Sequence, residues 1–224
     1  MTKKIAFCVS IFITITLNAQ INEIGLFVGG SNYIGDVGST DYINPKDLTL
    51  AVIYKWNMSP QAAIRYSFTY ANFSANNAQA STNVLKNNPF NFKNTYNEFA
   101  VGIEFNFFKY NLNQFRFRHT PYVFLNIAAF SYKIPPNSIA ANFKDFTKST
   151  SISFPFGVGY KVRLAQHLGM TVETRFNYTN KDNLEGDQLP IANFNNPNNK
   201  DWVVISGFSL VYAFGERTCY FDNF

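Results

Sequence analysis

Apolar residues recur along this chain at every second position and almost nowhere at helical spacing, which reads as half-exposed β-strands. Over 61–71, Ala62, Ile64, Tyr66, Phe68 and Tyr70 share one face, and Ala63, Arg65, Ser67, Thr69 and Ala71 the other. Over 48–56, Leu48, Leu50, Val52, Tyr54 and Trp56 alternate with Thr49, Ala51, Ile53 and Lys55. The same pattern sets Phe99, Val101, Ile103, Phe105 and Phe107 against Glu98, Ala100, Gly102, Glu104 and Asn106. Over 151–164 it sets Ile152, Phe154, Phe156, Val158, Tyr160, Val162 and Leu164 against Ser, Pro, Gly, Lys and Arg. Over 170–179, Met170, Val172, Phe176 and Tyr178 oppose Glu173, Arg175 and Asn177. Three weaker strands, 23–33, 121–132 and 202–214, carry small or apolar residues on both faces, which leaves their register open.

The connections alternate in length. Residues 57–60 and 165–168 are tight turns, and 110–120 is somewhat longer. The segments 35–47, 73–94, 133–149 and 181–200 are long and rich in Asn, Asp, Ser and Pro. Eight strands joined long, short, long, short predict an all-β fold. It is an eight-stranded antiparallel transmembrane β-barrel with short periplasmic turns and long extracellular loops. Both termini then lie in the periplasm, as an even strand count requires.

Eight strands leave an interior wide enough for side chains only. The face opposite the aromatics carries Lys55, Arg65, Glu98, Glu104, Lys161, Arg163, Glu173 and Arg175, charges of both signs that predict a paired ionic filling of the lumen. The alternative is an ion or proton pathway. A soluble lipocalin-like calyx is also eight-stranded and would reverse the faces, with aromatics inside and charges outside. Alternation does not choose between these faces. The four long loops on one rim and the aromatic load favour the membrane form.

Residues 1–19 read as a signal peptide, with Lys3 and Lys4 ahead of an apolar stretch of about 13 residues and cleavage before Gln20. That stretch is shorter than the roughly 20 residues a spanning helix needs. Cys8 lies within it and reads as a small hydrophobe rather than a lipid acceptor. The barrel is then 20–214 and a periplasmic C-terminal tail 215–224, in a chain sent to the outer membrane of a Gram-negative cell by Sec-dependent export. Removing Lys3 and Lys4 from 19 basic residues leaves 17 against 14 acidic ones, a mature charge of about +3. That is too mild a balance to imply nucleic acid. The 25 Phe and 13 Tyr are diluted by Asn, Ser and Thr, so mean hydropathy falls slightly below zero. A barrel with one face in lipid and one in a polar lumen has this mixture.

Candidate chemistry is sparse. The two histidines, His119 and His167, flank strands on the periplasmic side, and neither alternates beside a serine as a nucleophile–base pair would. No His, Cys and carboxylate group has metal-ligand spacing. Asp182, Glu185 and Asp187 share one outer loop, where calcium binding competes with a merely solvated acidic loop. We expect neither catalysis nor a cofactor. Gly29 and Gly30 suit a sharply curved strand. Leu210, Tyr212 and Phe214 after Gly207 resemble the C-terminal signal read by the barrel-assembly machinery, although about ten residues follow it here.

Several segments resemble, in order, the PorG-like outer-membrane proteins of Bacteroidota. They are 23–36 (EIGLFVGGSNYIGD), 54–65 (YKWNMSPQAAIR), 121–124 (PYVF), 155–164 (PFGVGYKVRL), 179–184 (TNKDNL) and 214–219 (FGERTC). The resemblance runs over essentially the whole mature chain. It implies a scaffold role in the type IX secretion system and gliding motility, with the barrel held against a periplasmic ring of PorK and PorN. The rival reading is a small OmpA- or OmpW-like barrel with a structural or small-solute role. Under the first reading the partner-binding periplasmic face comprises Asn57, Pro60, Phe115, Arg116, Phe117, Arg118, His119, His167, Arg217 and Cys219. Phe115 to Arg118 are anchors suited to a protein interface, and equally to lipid headgroups. Cys219 is the one thiol left after maturation and is open to an intermolecular disulfide in an oxidising compartment. On non-reducing electrophoresis the parent protein should then give an adduct that Cys219→Ser abolishes; identical migration removes the idea.

Overall fold

The computed structural model describes residues 22–34, 43–76, 91–112, 118–134, 147–179 and 201–215, the side chains of 75–76, 91–93, 133–134 and 147 excepted. These residues form eight strands, β1 (Asn22–Ile34), β2 (Asp47–Asn57), β3 (Ala62–Asn76), β4 (Asn91–Asn106), β5 (His119–Ile134), β6 (Thr147–Ala165), β7 (Leu168–Thr179) and β8 (Trp202–Phe214). Each pairs antiparallel with its sequence neighbours, and β1 pairs with β8 from Asn22↔Phe214 to Ile34↔Trp202, which closes the barrel. The eight-stranded antiparallel barrel expected from alternation is the fold observed.

Closure decides which face is which. Leu26, Phe68, Phe99, Ile103, Phe156, Val172 and Phe208 lie exposed on the outside, while Lys55, Arg65, Glu98, Glu104, Lys161 and Arg175 are buried within. Ile103 is 61% exposed and Arg65 0%. The calyx alternative is thereby excluded, since it needs the reverse. The outer face is an apolar band suited to hydrocarbon, and the closed ladder pairs the backbone groups that hydrocarbon would strand.

The three strands of open register now have one. β1 turns Glu23, Phe27 and Tyr33 inward and Ile24, Leu26 and Val28 outward. β5 turns Tyr122, Phe124, Asn126, Phe130 and Tyr132 inward, and β8 turns Val211 and Ala213 inward with Leu210, Tyr212 and Phe214 outward. The lumen thus takes large aromatics as well as charges, which blurred the pattern in β5. The β5–β6 ladder breaks between Leu125↔Phe156 and Ala128↔Ser153, where Pro155 has no N–H to donate.

Two expectations change. Strands β3 and β4 pair out to Asn76↔Asn91, and β5 and β6 to Ile134↔Thr147, so the loops read as 73–94 and 133–149 lose ends that are strand. Cross-strand bonding has overridden the polar composition there. Gly29 and Gly30 serve close packing rather than curvature alone. A Cβ on Gly29 would stand 2.4 Å from the Ser206 carbonyl oxygen and 2.8 Å from the Phe27 ring, and one on Gly30 2.4 Å from Pro45. Residues 1–21, 35–42, 77–90, 113–117, 135–146, 180–200 and 216–224, which include the expected signal peptide and C-terminal tail, lie outside the described residues.

Ile103 is the middle member of the exposed apolar run Phe99, Val101, Ile103, Phe105 and Phe107, and lies opposite Leu125. Ile103→Arg should destabilise the barrel by about 2–4 kcal/mol, the penalty for a guanidinium near the bilayer midplane. Urea unfolding of protein refolded into lipid vesicles measures this; an unchanged midpoint would mean that this face does not meet lipid.

Candidate functional site

Period-2 alternation on five strands sends ionisable side chains into the buried lumen, where they meet in two sets. Glu104 of β4 is the centre of the first. It receives Lys55 of β2 at 3.1 Å, Arg65 of β3 at 3.0 Å and Lys161 of β6. Arg65 also reaches across to Glu173 of β7 with two nitrogens, at 2.9 and 2.6 Å. The Tyr122 hydroxyl of β5 donates to the same carboxylate at 2.5 Å. The Arg65 guanidinium lies 4.2 Å from the Phe124 ring centroid, and the Lys161 ammonium 4.7 Å from that of Tyr122.

Register explains why so many cations converge. Lys55 and Arg65 face each other directly across β2–β3, an arrangement that destabilises a ladder unless an anion intervenes. Glu104, paired with Ala63 on the neighbouring strand, supplies that anion. Tyr122 can lie flat because its cross-strand partner is Gly159, where a Cβ would stand 2.5 Å from the ring. Small residues on one strand therefore make room for the large polar groups of the next.

A second set lies nearer the outer end. Arg175 of β7 pairs with Glu98 of β4 at 3.3 Å and donates to the Thr69 hydroxyl at 3.2 Å. The Tyr96 hydroxyl also donates to Glu98, as does Ser153 at 3.2 Å. Above it a run of rings crosses the lumen: Tyr33 stacks on Phe73 at 5.9 Å, Phe73 meets Tyr96 edge-on, and Tyr96 stacks on Phe130 at 5.0 Å. The Tyr33 hydroxyl ends this run by donating to Asp201.

The opposite end is capped from within. The segment after β4 folds back, so that Tyr110 and Leu112 are buried against Val211 and Ala213. The Tyr110 N–H donates to the Pro60 carbonyl at 3.0 Å, while the Leu112 carbonyl accepts the Arg163 Nε at 3.1 Å and the His167 N–H at 3.3 Å. Burial raises the pKa of the Tyr110 hydroxyl, which stays protonated.

All eight charged residues assigned to the lumen from the sequence, Lys55, Arg65, Glu98, Glu104, Lys161, Arg163, Glu173 and Arg175, lie buried inside. Glu23 joins them and accepts from Asn57 at 3.0 Å. It escaped the sequence reading because β1 alternates weakly. Of the residues assigned to a periplasmic partner face, Asn57, Pro60, Arg118, His119 and His167 share the end bearing the short turns. Much of their bonding turns inward. Pro60 and His167 bind the cap, and the Arg118 carbonyl accepts the Arg163 N–H. His167 holds the tight β6–β7 turn at φ 67°. His119 is exposed, stacked on Tyr160 at 5.7 Å with the ring nitrogen 2.5 Å from its hydroxyl. In the link after β4, Tyr110 and Leu112 are core rather than offered surface. Phe115, Arg116, Phe117, Arg217 and Cys219 lie outside the described residues, as do Asp182, Glu185 and Asp187.

A closed eight-stranded antiparallel barrel with an apolar exterior and an ion-paired interior defines the class of small outer-membrane-type barrels. Residues 2–223 match the family described as Domain of unknown function (DUF6089), and the chain belongs to that family. Among solved structures it is similar to Ail, the attachment invasion locus protein of Yersinia pestis, solved with the heparin analogue sucrose octasulfate. The identity is 12% over 88% of this chain and 100% of that one, with a TM-score of 0.50. It is likewise similar to a major outer membrane protein from Thermus thermophilus, at 13% identity, the same two coverages and a TM-score of 0.50. Such identities speak for the fold alone. No curated protein matches the chain.

Removing one member of a buried ion network strands its partners. Glu104→Gln leaves Lys55, Arg65 and Lys161 without their shared anion and should cost about 3–5 kcal/mol. Adding Lys161→Met should recover part of that loss, because the two groups are coupled. The midpoint of unfolding in detergent reads both effects, and additive losses would show that the groups do not interact.

Proposed function

We propose that this protein is a non-catalytic outer-membrane anchor, a scaffold component of the type IX secretion system that holds a periplasmic ring of PorK and PorN at the membrane. The observation that carries the reading is the filling of the lumen. Rings occupy the outer part, ion pairs the centre, and Tyr110 with Leu112 the other end. A barrel so filled acts through its surfaces. The segments that resemble, in order, the PorG-like proteins of Bacteroidota support the choice of system, and gliding motility follows where that system serves it.

The end bearing Asn57, Pro60, Arg118, His119 and His167 would face the ring, with Phe115, Arg116, Phe117, Arg217 and Cys219 as further contacts. Sec-dependent export with removal of 1–19 would deliver the chain to the outer membrane. The second reading is a small OmpA- or OmpW-like barrel with a structural or small-solute role, which the fold likeness to Ail favours.

Deletion of the gene should abolish export of substrates carrying the type IX C-terminal signal, and a pull-down from detergent extract should recover the ring proteins. Normal export would overturn the proposal. Planar-bilayer conductance separates the readings, since an anchor gives no steps and a solute pore does.

A further inference from the structure

Asn126 of β5 is 1% exposed, and neither its side-chain oxygen nor its side-chain nitrogen has a hydrogen-bond partner in the protein. A buried amide left wholly unpaired is costly, because both groups have given up water. Three further buried atoms in the same stretch of lumen share this condition: Ser67 Oγ, Arg65 Nε and Arg175 Nε.

The ladder brings these groups together. Gly102 of β4 pairs with Arg65 on one side and with Asn126 on the other, so the three form one row. A Cβ on Gly102 would run into the Asn126 Oδ1, so this amide leans over the glycine into the gap beside Arg65. Ser67 is the next inward residue beyond Arg65, and it pairs with Ala100, the next beyond Gly102.

Two arginines cross the lumen here in opposite directions. Arg65 leaves β3 and reaches Glu173 on β7, while Arg175 leaves β7 and reaches Thr69 on β3. On β7 the crossings are anchored at 173 and 175, on β3 at 65 and 69, which is about 7 and 13 Å at the rise of a strand. They open a wedge towards β3. Ser67 stands midway across its mouth, with only Ala100 and Gly102 on the adjoining strand.

The unpaired atoms are mainly donors. Both Nε–H groups, the Asn126 NH2 and the Ser67 hydroxyl give hydrogens, and only Asn126 Oδ1 and Ser67 Oγ also accept. Charge points the same way. The two ionic sets hold the cations Lys55, Arg65, Lys161 and Arg175 against the carboxylates Glu98, Glu104 and Glu173, an excess of one positive charge. Water would satisfy the amide but leave that charge unbalanced in a desolvated core.

We propose that the lumen holds one small inorganic monovalent anion of the chloride class, in the wedge between Arg65 and Arg175. The two Nε–H groups, Asn126 Nδ2 and the Ser67 hydroxyl donate to it. The terminal nitrogens of both arginines go to Glu104, Glu173, Glu98 and Thr69, which leaves the Nε edges for the ion. With rings on one side and the cap on the other, the ion is loaded as the barrel folds rather than by passage. The site stands whichever outer-membrane role the protein has.

The test refolds the full mature protein from urea into detergent in sodium chloride, sodium bromide or sodium gluconate at equal ionic strength. The midpoint of thermal unfolding should rise with chloride or bromide concentration and not with gluconate, as for any ligand bound by the folded state alone. Asn126→Leu should weaken the apparent chloride affinity about tenfold or more, the loss of one hydrogen bond to a charged group. Ser67→Ala, a smaller change, should weaken it in the same direction. Thr171→Val, at the hydroxyl pair with Ser209 elsewhere in the lumen, should leave it unchanged. Heat-modifiable migration on a gel verifies that each variant is folded. Crystals of the bromide form should show an anomalous peak between the two guanidinium groups, a result that depends on no variant. Equal midpoints in the three salts, an undiminished chloride effect in Asn126→Leu, equal weakening in Thr171→Val, or water in place of bromide between the arginines would each overturn the proposal.

Discussion

Hydrocarbon offers no water to an unpaired N–H or C=O, so a sheet that enters it must have no edge. The seam between β1 and β8 meets that demand. It runs from Asn22↔Phe214 to Ile34↔Trp202, the full length of both strands, and joins the first strand to the last. Gly29 and Gly207 pair within it, beneath the Phe27 ring, and a Cβ on Gly207 would stand 2.5 Å from the Gly29 Cα. The seam is close because both partners lack side chains there. Once it is shut, every inward residue is committed to a narrow space and every outward residue to lipid.

The charged filling follows from that commitment. A narrow lumen could hold aliphatic side chains, and at its outer end it does hold rings. At the centre it holds carboxylates and cations whose desolvation is offset only while each has partners. Glu104 meets this by serving Lys55, Arg65 and Lys161 together, and Arg65 by bridging to Glu173. Such a core ties β2, β3, β4, β6 and β7 across the barrel, contacts that the hydrogen-bonded ladder between neighbours does not make.

Parts of this were legible along the chain. Strong alternation placed β2, β3, β4, β6 and β7 correctly, because each has large apolar groups on one face and polar groups on the other. It failed to orient β1, β5 and β8. In β5 the inward set includes Phe124 and Phe130, which resemble lipid-facing residues until the lumen geometry is known. The cap was invisible for a related reason: Tyr110 and Leu112 sit in a short link with no period, and contacts with Pro60, Arg163, His167, Val211 and Ala213 draw them inside.

A period of two is symmetric under exchange of inside and outside. The residues alone therefore determined the strand count, the long and short connections, and which side chains share a face. Alternation left undecided whether that face looks to lipid or to the lumen; the aromatic load and the long connections favoured lipid, and closure resolved it. The residues also left undecided who pairs with whom. Arg65 and Glu173 are 108 residues apart and meet only because β3 and β7 stand across a closed ring. Sequence periodicity is local, whereas the partner of a buried charge is chosen by the whole circuit of strands.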